Sequence, residues 1–312
     1  MNYLAIVLKQ IGIFGVYMLI GVISVKAHVL DRDRLKVLAN IVIKILLPLL
    51  IFTNMVNGTT REEFLHSAII LLLTAVLYLI LYIAARILGR VSWLKGDKRK
   101  LYRACTMFGN TGFMGIPLIT SLYPKQGGLY IAMFTVIDQL VIWTLGMYLT
   151  SPENSDQQEK SVAKNLKLMI NPSTVAILIG VVVVLTGLKL PSFIDAALTA
   201  AGSAASPLAM IYLGGAFCFL RIRDYLKKPE IYGMIVVKML LIPLGIYALL
   251  RLIPGLDNSI AVTISLQCGL PCMASLAMMA ESQGSDSKYI AGMTFVTTMA
   301  SIVTLPVLCP IM

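Results

Sequence analysis

The chain is predicted to be an all-α polytopic membrane protein. It should have ten transmembrane helices in a five-plus-five inverted repeat, with two discontinuous crossing helices, spans 4 and 9. Three observations predict this. Of 312 residues, 58% are hydrophobic and only 13% charged, with mean hydropathy +0.85, which is more apolar surface than a water-soluble domain can hide. Ten windows are apolar over about 20 residues, the length that crosses the hydrocarbon core. Two of those windows are interrupted at mid-depth, by Phe108-Gly109-Asn110-Thr111-Gly112-Phe113-Met114-Gly115-Ile116-Pro117 and by Gln267-Cys268-Gly269-Leu270-Pro271-Cys272.

The windows run roughly over residues 3–24, 35–56, 65–88, 101–123, 127–149, 171–188, 195–220, 231–253, 258–280 and 289–311. Breaks rich in charge, Gly or Pro separate them, such as Leu94-Lys95-Gly96-Asp97-Lys98-Arg99-Lys100. The first window follows only Met1-Asn2, with neither a basic leader nor a small-residue cleavage site, and reads as a retained helix. Residues 151–170, of mixed charge, read as a solvated cytoplasmic linker between the halves.

The net charge of +11 does not imply nucleic acid as a partner, because basic residues beside membrane spans set topology. With ten spans, seventeen Lys and Arg fall on the side of the odd-numbered connections and four on the other. The odd side is therefore expected to be cytoplasmic, with both termini extracytoplasmic. The bias also supports an even count of ten.

The halves read as repeats at a constant offset of 159 residues. Pro48-Leu49 falls on Pro207-Leu208, and Tyr130-Ile131-Ala132 on Tyr289-Ile290-Ala291. Thr135 falls on Thr294, and the two interruptions coincide. Five spans per half is an odd number, so the second half enters the bilayer from the opposite side, the plan of many secondary transporters.

A helix broken inside the bilayer leaves N–H groups at one end and C=O groups at the other without partners. The N-terminal ends are partially positive and favour anions. Asn110 and Thr111 add side-chain donors in span 4, as Ser265 and Gln267 do in span 9, while Gly109, Gly112, Gly115 and Gly269 allow close backbone approach. The expected ligand is a small anion, most simply a carboxylate. The competing explanation is that Gly and Pro only kink packed helices; the matched positions of the two breaks weigh against it.

Asp138 is the acidic residue at the middle of a span, where charge marks function by default. It could couple transport to H⁺ or Na⁺, or form a structural pair with Lys44 of span 2 or Lys238 of span 8. The five cysteines lie in apolar segments without loop pairs, and the two histidines are remote from them, so neither a disulfide framework nor a metal site is expected. No cofactor is expected either: Walker A, HExxH, GxSxG and paired-aspartate motifs are missing. A membrane enzyme would need several catalytic His, Asp or Glu at membrane depth, and a channel a pore lined along its length.

At these residues a family becomes recognisable. Gly109-Asn110-Thr111 followed by Met114-Gly115-Ile116-Pro117-Leu118 resembles the fourth-span signature of the auxin efflux carrier family. Gly269-Leu270-Pro271 is similar to its ninth-span crossover, and Asn40 to Pro48, running into Leu49-Leu50-Ile51-Phe52, to its second span. The resemblance covers essentially the whole chain. It implies a scaffold of residues 1–56 and 171–222 that forms a homodimer, and a transport part of residues 57–150 and 223–312 that moves as an elevator in the plasma membrane. It also implies a carboxylate substrate, matches Asn110 to the family's substrate-binding asparagine, and places Pro117 and Pro271 at the crossover. The short linker and Cys272 depart from plant members and point to a prokaryotic relative. The resulting substrate-binding set is Asn110, Thr111, Gly112, Gly115, Pro117, Gln267, Gly269, Pro271 and Cys272, with Asp138 for ion coupling. A sodium-coupled bile-acid-type symporter of the same plan is the alternative, to be separated by the sodium dependence of flux.

Overall fold

A computed structural model describes residues 3–57, 60–152 and 172–312. The expected linker, apart from its first two residues, lies outside the described residues. The architecture is all-helical. In chain order the helices are α1 (Tyr3–Lys26), α2 (Arg32–Val56), α3 (Arg61–Val91), α4 (Gly96–Met107), α5 (Thr111–Leu122) and α6 (Gly127–Thr150). There follow α7 (Pro172–Thr186), α8 (Ser192–Phe217), α9 (Pro229–Leu250), α10 (Asn258–Cys268), α11 (Ser275–Ser282) and α12 (Ser287–Leu308). Seven of these (α1, α2, α3, α6, α8, α9 and α12) are long and apolar enough to cross a bilayer, so the chain is a multi-pass membrane protein.

Local chemistry sets the helix starts. Asp31, Asp257 and Asp286 each accept a bond from a first-turn backbone N–H, of Arg34, Ser259 and Tyr289 respectively. Thr60 and Glu63 form a reciprocal capping box at the head of α3. Inside the long helices, π turns at Val42–Leu46, Thr111–Gly115 and Val237–Leu241 run directly into Leu47-Pro48, Ile116-Pro117 and Ile242-Pro243. Proline has no N–H and clashes with the carbonyl four residues back. A widened turn moves that carbonyl aside, so the helices continue past these prolines.

The faces sort as lipid and protein. In α3, Leu72, Leu79, Ile83 and Ile87 are exposed, while Ile70, Leu77, Tyr78, Leu81 and Ala85 on the opposite side are buried. An apolar surface of this extent fits a lipid-facing wall. Helices α1 and α8 touch backbone to backbone: a Cβ on Gly21 would meet the carbonyl of Ile211, and one on Gly214 the carbonyl of Met18. Close approach at small residues is how helices associate in lipid, which gives no hydrophobic push of its own.

Two hydrophobic clusters organise the interior. One draws only on residues between 64 and 149 and between 225 and 296. The other joins α1, α2, α7 and α8 to α5, α6, α10 and α12.

Candidate functional site

The two interruptions meet. Helix α4 ends at Met107, and Phe108 (φ −97°, ψ 119°) and Asn110 (φ −78°, ψ 56°) leave the helical region before α5 begins. Helix α10 ends at Cys268, and the chain resumes as α11 at Ser275. Between them lies an antiparallel backbone bridge, Gly109 opposite Cys272. The Asn110 N–H donates to Pro271 O (2.9 Å) and the Met273 N–H to Phe108 O (3.2 Å). Non-helical backbone inside a bilayer must find partners in protein, and here each break supplies them to the other.

Three backbone groups at the breaks also find partners on neighbouring helices. The Cys272 N–H donates to Thr297 Oγ1 (3.0 Å). Lys238 Nζ of α9, fully buried, donates to Cys105 O (2.8 Å) and Phe108 O (3.0 Å) at the carbonyl end of α4.

Packing at the crossing is tight at two glycines, against backbone at Gly109 and against side chains at Gly115. A Cβ on Gly109 would lie 2.8 Å from Gln267 O, and one on Gly115 would run into the Gln267 side-chain amide and approach Leu270 Cδ1 to 2.9 Å.

A cavity of about 480 Å³ lies beside the breaks. Asn40, Lys44 and Leu47 of α2 wall it on one side and Pro172 and Ser173 of α7 on another. Asn110, Gly112 and Phe113 form its third wall, and Gln139, Trp143, Met273, Ser275, Met278 and Met279 complete it. Lys44 is the one charged residue among its described lining. Asn110 is buried and its Nδ2 has no hydrogen-bond partner among the described residues. A buried amide donor without a partner needs an explanation, and a ligand is one. Of the first N–H groups of α5, which have no acceptor within the helix, those of Gly112 and Phe113 belong to residues of the same wall.

The predicted binding residues fall into two groups. Asn110 and Gly112 line the cavity. Thr111 is buried at the head of α5, its N–H donating to Gly109 O (2.8 Å). Gly115, Gln267, Pro271 and Cys272 form the crossing behind the cavity rather than its lining. Gln267 is buried with both side-chain amide atoms unpartnered among the described residues, as is Ser265 Oγ. Pro117 sits in α5 just past its π turn. Gly269 faces Pro243 and Leu308, on the far side.

Asp138 and Lys238 are the two buried charged side chains among the described residues, and they do not pair. Asp138 accepts a short hydrogen bond from Tyr78 OH and one from Gln139 Nε2 (3.4 Å). Gln139 in turn accepts from Trp143 Nε1 (3.1 Å), which links Asp138 to the cavity wall through a neutral relay. Lys44 lines the cavity, and neither it nor Lys238 makes an ion pair with the carboxyl. The sequence carries no signal for Tyr78. By charge alone Lys238 is a natural partner for Asp138, but the carbonyls that hold it cannot be read from side-chain chemistry.

A bilayer-length helical bundle with an amide-bearing cavity at two interrupted helices defines a membrane transport protein. Residues 6–309 match the family described as "Membrane transport protein", the auxin efflux carrier family, and the chain belongs to it. It is similar to the uncharacterized transporter MJ1031 of Methanocaldococcus jannaschii, 27% identical over 302 residues covering 93% of this chain and 94% of the relative. It is also similar to an uncharacterized transporter of Methanothermobacter thermautotrophicus, 27% identical over 297 residues and 93% of each chain. Both relatives are archaeal and named as transporters, not as enzymes.

Proposed function

We propose that this protein is a secondary active transporter of small organic anions, with carboxylates as substrate, working by elevator-type alternating access. The observation that carries the reading is the cavity itself. Its described lining holds one cation, Lys44, no acid, and the unpartnered Asn110 amide, set in an apolar wall of Trp143, Met273, Met278 and Met279. A carboxylate would accept from Asn110 and from the head of α5, lie near Lys44, and rest its carbon chain on the methionines, which adapt to irregular shapes.

Ten spans in an inverted repeat are part of the same proposal. Seven long helices, the short apolar helix α7, and the two pairs α4/α5 and α10/α11 taken as one span each supply that number. The hydrophobic cluster confined to residues 64–149 and 225–296 supports a transport part distinct from a dimerising scaffold. The charge bias supports both termini outside, and the family resemblance supports a plasma-membrane location.

The test is counterflow of labelled carboxylates into proteoliposomes. Saturable uptake of mono- or dicarboxylates, weakened about tenfold or more in Lys44→Met, is the expected result; uptake of cations or neutral solutes alone rejects the reading.

Asp138 is the proposed coupling residue, with H⁺ as the ion. A carboxyl held by neutral donors exchanges a proton without breaking an ion pair. Asp138→Asn is expected to carry substrate down its own gradient but to lose stimulation by a pH gradient. A variant that still follows the pH gradient moves coupling elsewhere.

A further inference from the structure

The carbonyl end of α4 points into the same crossing that is proposed to receive an anion. The last carbonyls of a helix carry partial negative charge, and Phe108 O lies only two residues from Asn110. Left bare, they would oppose an anion there. Transporters with broken helices can answer this with a bound cation coordinated by unwound carbonyls.

In this chain the position is filled from within. Lys238 Nζ is 2.8 Å from Cys105 O and 3.0 Å from Phe108 O, in a fully buried environment. Its own helix is reshaped at that point, since Lys238 is the second residue of the π turn Val237–Leu241, and such turns frequently mark functional positions. Phe108 O also accepts the Met273 N–H, and Cys105 O the Cys272 thiol (3.2 Å). The amine therefore binds the two carbonyls onto which the second interrupted helix is joined.

We propose that Lys238 is a tethered cation. It takes the place a bound alkali ion would hold at the carbonyl end of α4, keeps the crossing assembled, and offsets the negative helix end behind the anion cavity. It is a positioning residue, acting through the α4 carbonyls rather than by contact with substrate. Truncating it should create a requirement for an added small cation that the wild-type protein lacks.

The inference rests on the transport reading for its flux readout alone; its stability readout stands without it. The experiment compares wild type, Lys238→Ala and Lys238→Met in thermal unfolding of the detergent-solubilised protein. The media are sodium, ethylammonium and N-methylglucamine chloride at matched ionic strength.

Wild type should unfold at the same temperature in all three. Lys238→Ala should unfold about 5 °C lower in N-methylglucamine and recover in sodium or ethylammonium, which fit the vacated space. Lys238→Met fills that space with a neutral chain and should be destabilised in every salt. In proteoliposomes the same cations should restore carboxylate flux to Lys238→Ala.

A wild type that gains stability specifically from sodium overturns the proposal, and this arm needs no variant to fold. So does a Lys238→Ala indifferent to cation identity, or a Lys238→Met equal to wild type. Cation-dependent stability in Lys238→Ala alongside a wild type that carries no carboxylate would leave this inference standing and reject the anion reading alone.

Discussion

Asn110→Ala should cut carboxylate flux in proteoliposomes about ten- to a hundredfold while the protein still purifies folded. An amide hydrogen bond to a charged group contributes about 1.5–3 kcal/mol, and each 1.4 kcal/mol is about a factor of ten in affinity. The fold should tolerate the change because Asn110 Nδ2 bonds none of the described residues. The backbone bonds at that position, the Asn110 N–H to Pro271 O and the Met114 and Gly115 N–H groups to Asn110 O, do not depend on the side chain. Unaltered flux would remove Asn110 from the binding set. Equal losses of flux and of unfolding temperature would make it a structural residue.

The second large effect is expected at the crossing. Gly115→Ala places a methyl group against the Gln267 amide and 2.9 Å from Leu270 Cδ1. Overpacking of this kind costs about 1–3 kcal/mol. Here the helices are pinned by the bridge between Gly109 and Cys272, so they cannot easily move apart. Gly115→Ala should lower the unfolding temperature and the flux together. Gln267→Ala should partly rescue it, because the shortened side chain vacates the space the methyl group needs. A double-mutant cycle measures that coupling. Strict additivity, or a Gly115→Ala protein equal to wild type, would show that these two side-chain positions do not touch.

Much of this architecture is legible in the amino-acid sequence. Hydropathy marks each apolar segment, and the two interruptions announce themselves because Gly, Pro and Asn have no ordinary place in a lipid-embedded helix. Asn110 falls in the cavity, as its position at the break leads one to expect. Less legible is which residues of the breaks face the cavity and which face each other. Gln267, Pro271 and Cys272 share the composition of a binding loop, yet they sit in the crossing: an antiparallel backbone bridge holds Pro271 and Cys272 against Gly109 and Asn110, and Gln267 packs against Gly115. The cavity's opposite wall comes from α2 and α7, hundreds of ångströms of chain away in an extended polypeptide, and no local pattern joins Lys44 to Asn110. Lys238 is the clearest case: its partners are main-chain oxygens, invisible to any count of complementary charges.

The two hydrogen bonds that stitch residue 110 to 271 and 273 to 108 bear on how cargo changes sides. Rupturing them inside the bilayer would strand the Asn110 and Met273 N–H groups and the Pro271 carbonyl with no water to take them, since among the described residues only Phe108 O of the four groups keeps a second partner, Lys238. A gate that opened by prising the two kinked rods apart would be the most expensive motion available to this molecule. The cheaper course is for the stitched pair to travel as a single keel, sliding with its passenger past α2 and α7, so the slowest-exchanging amides in the protein should be those nearest the passenger.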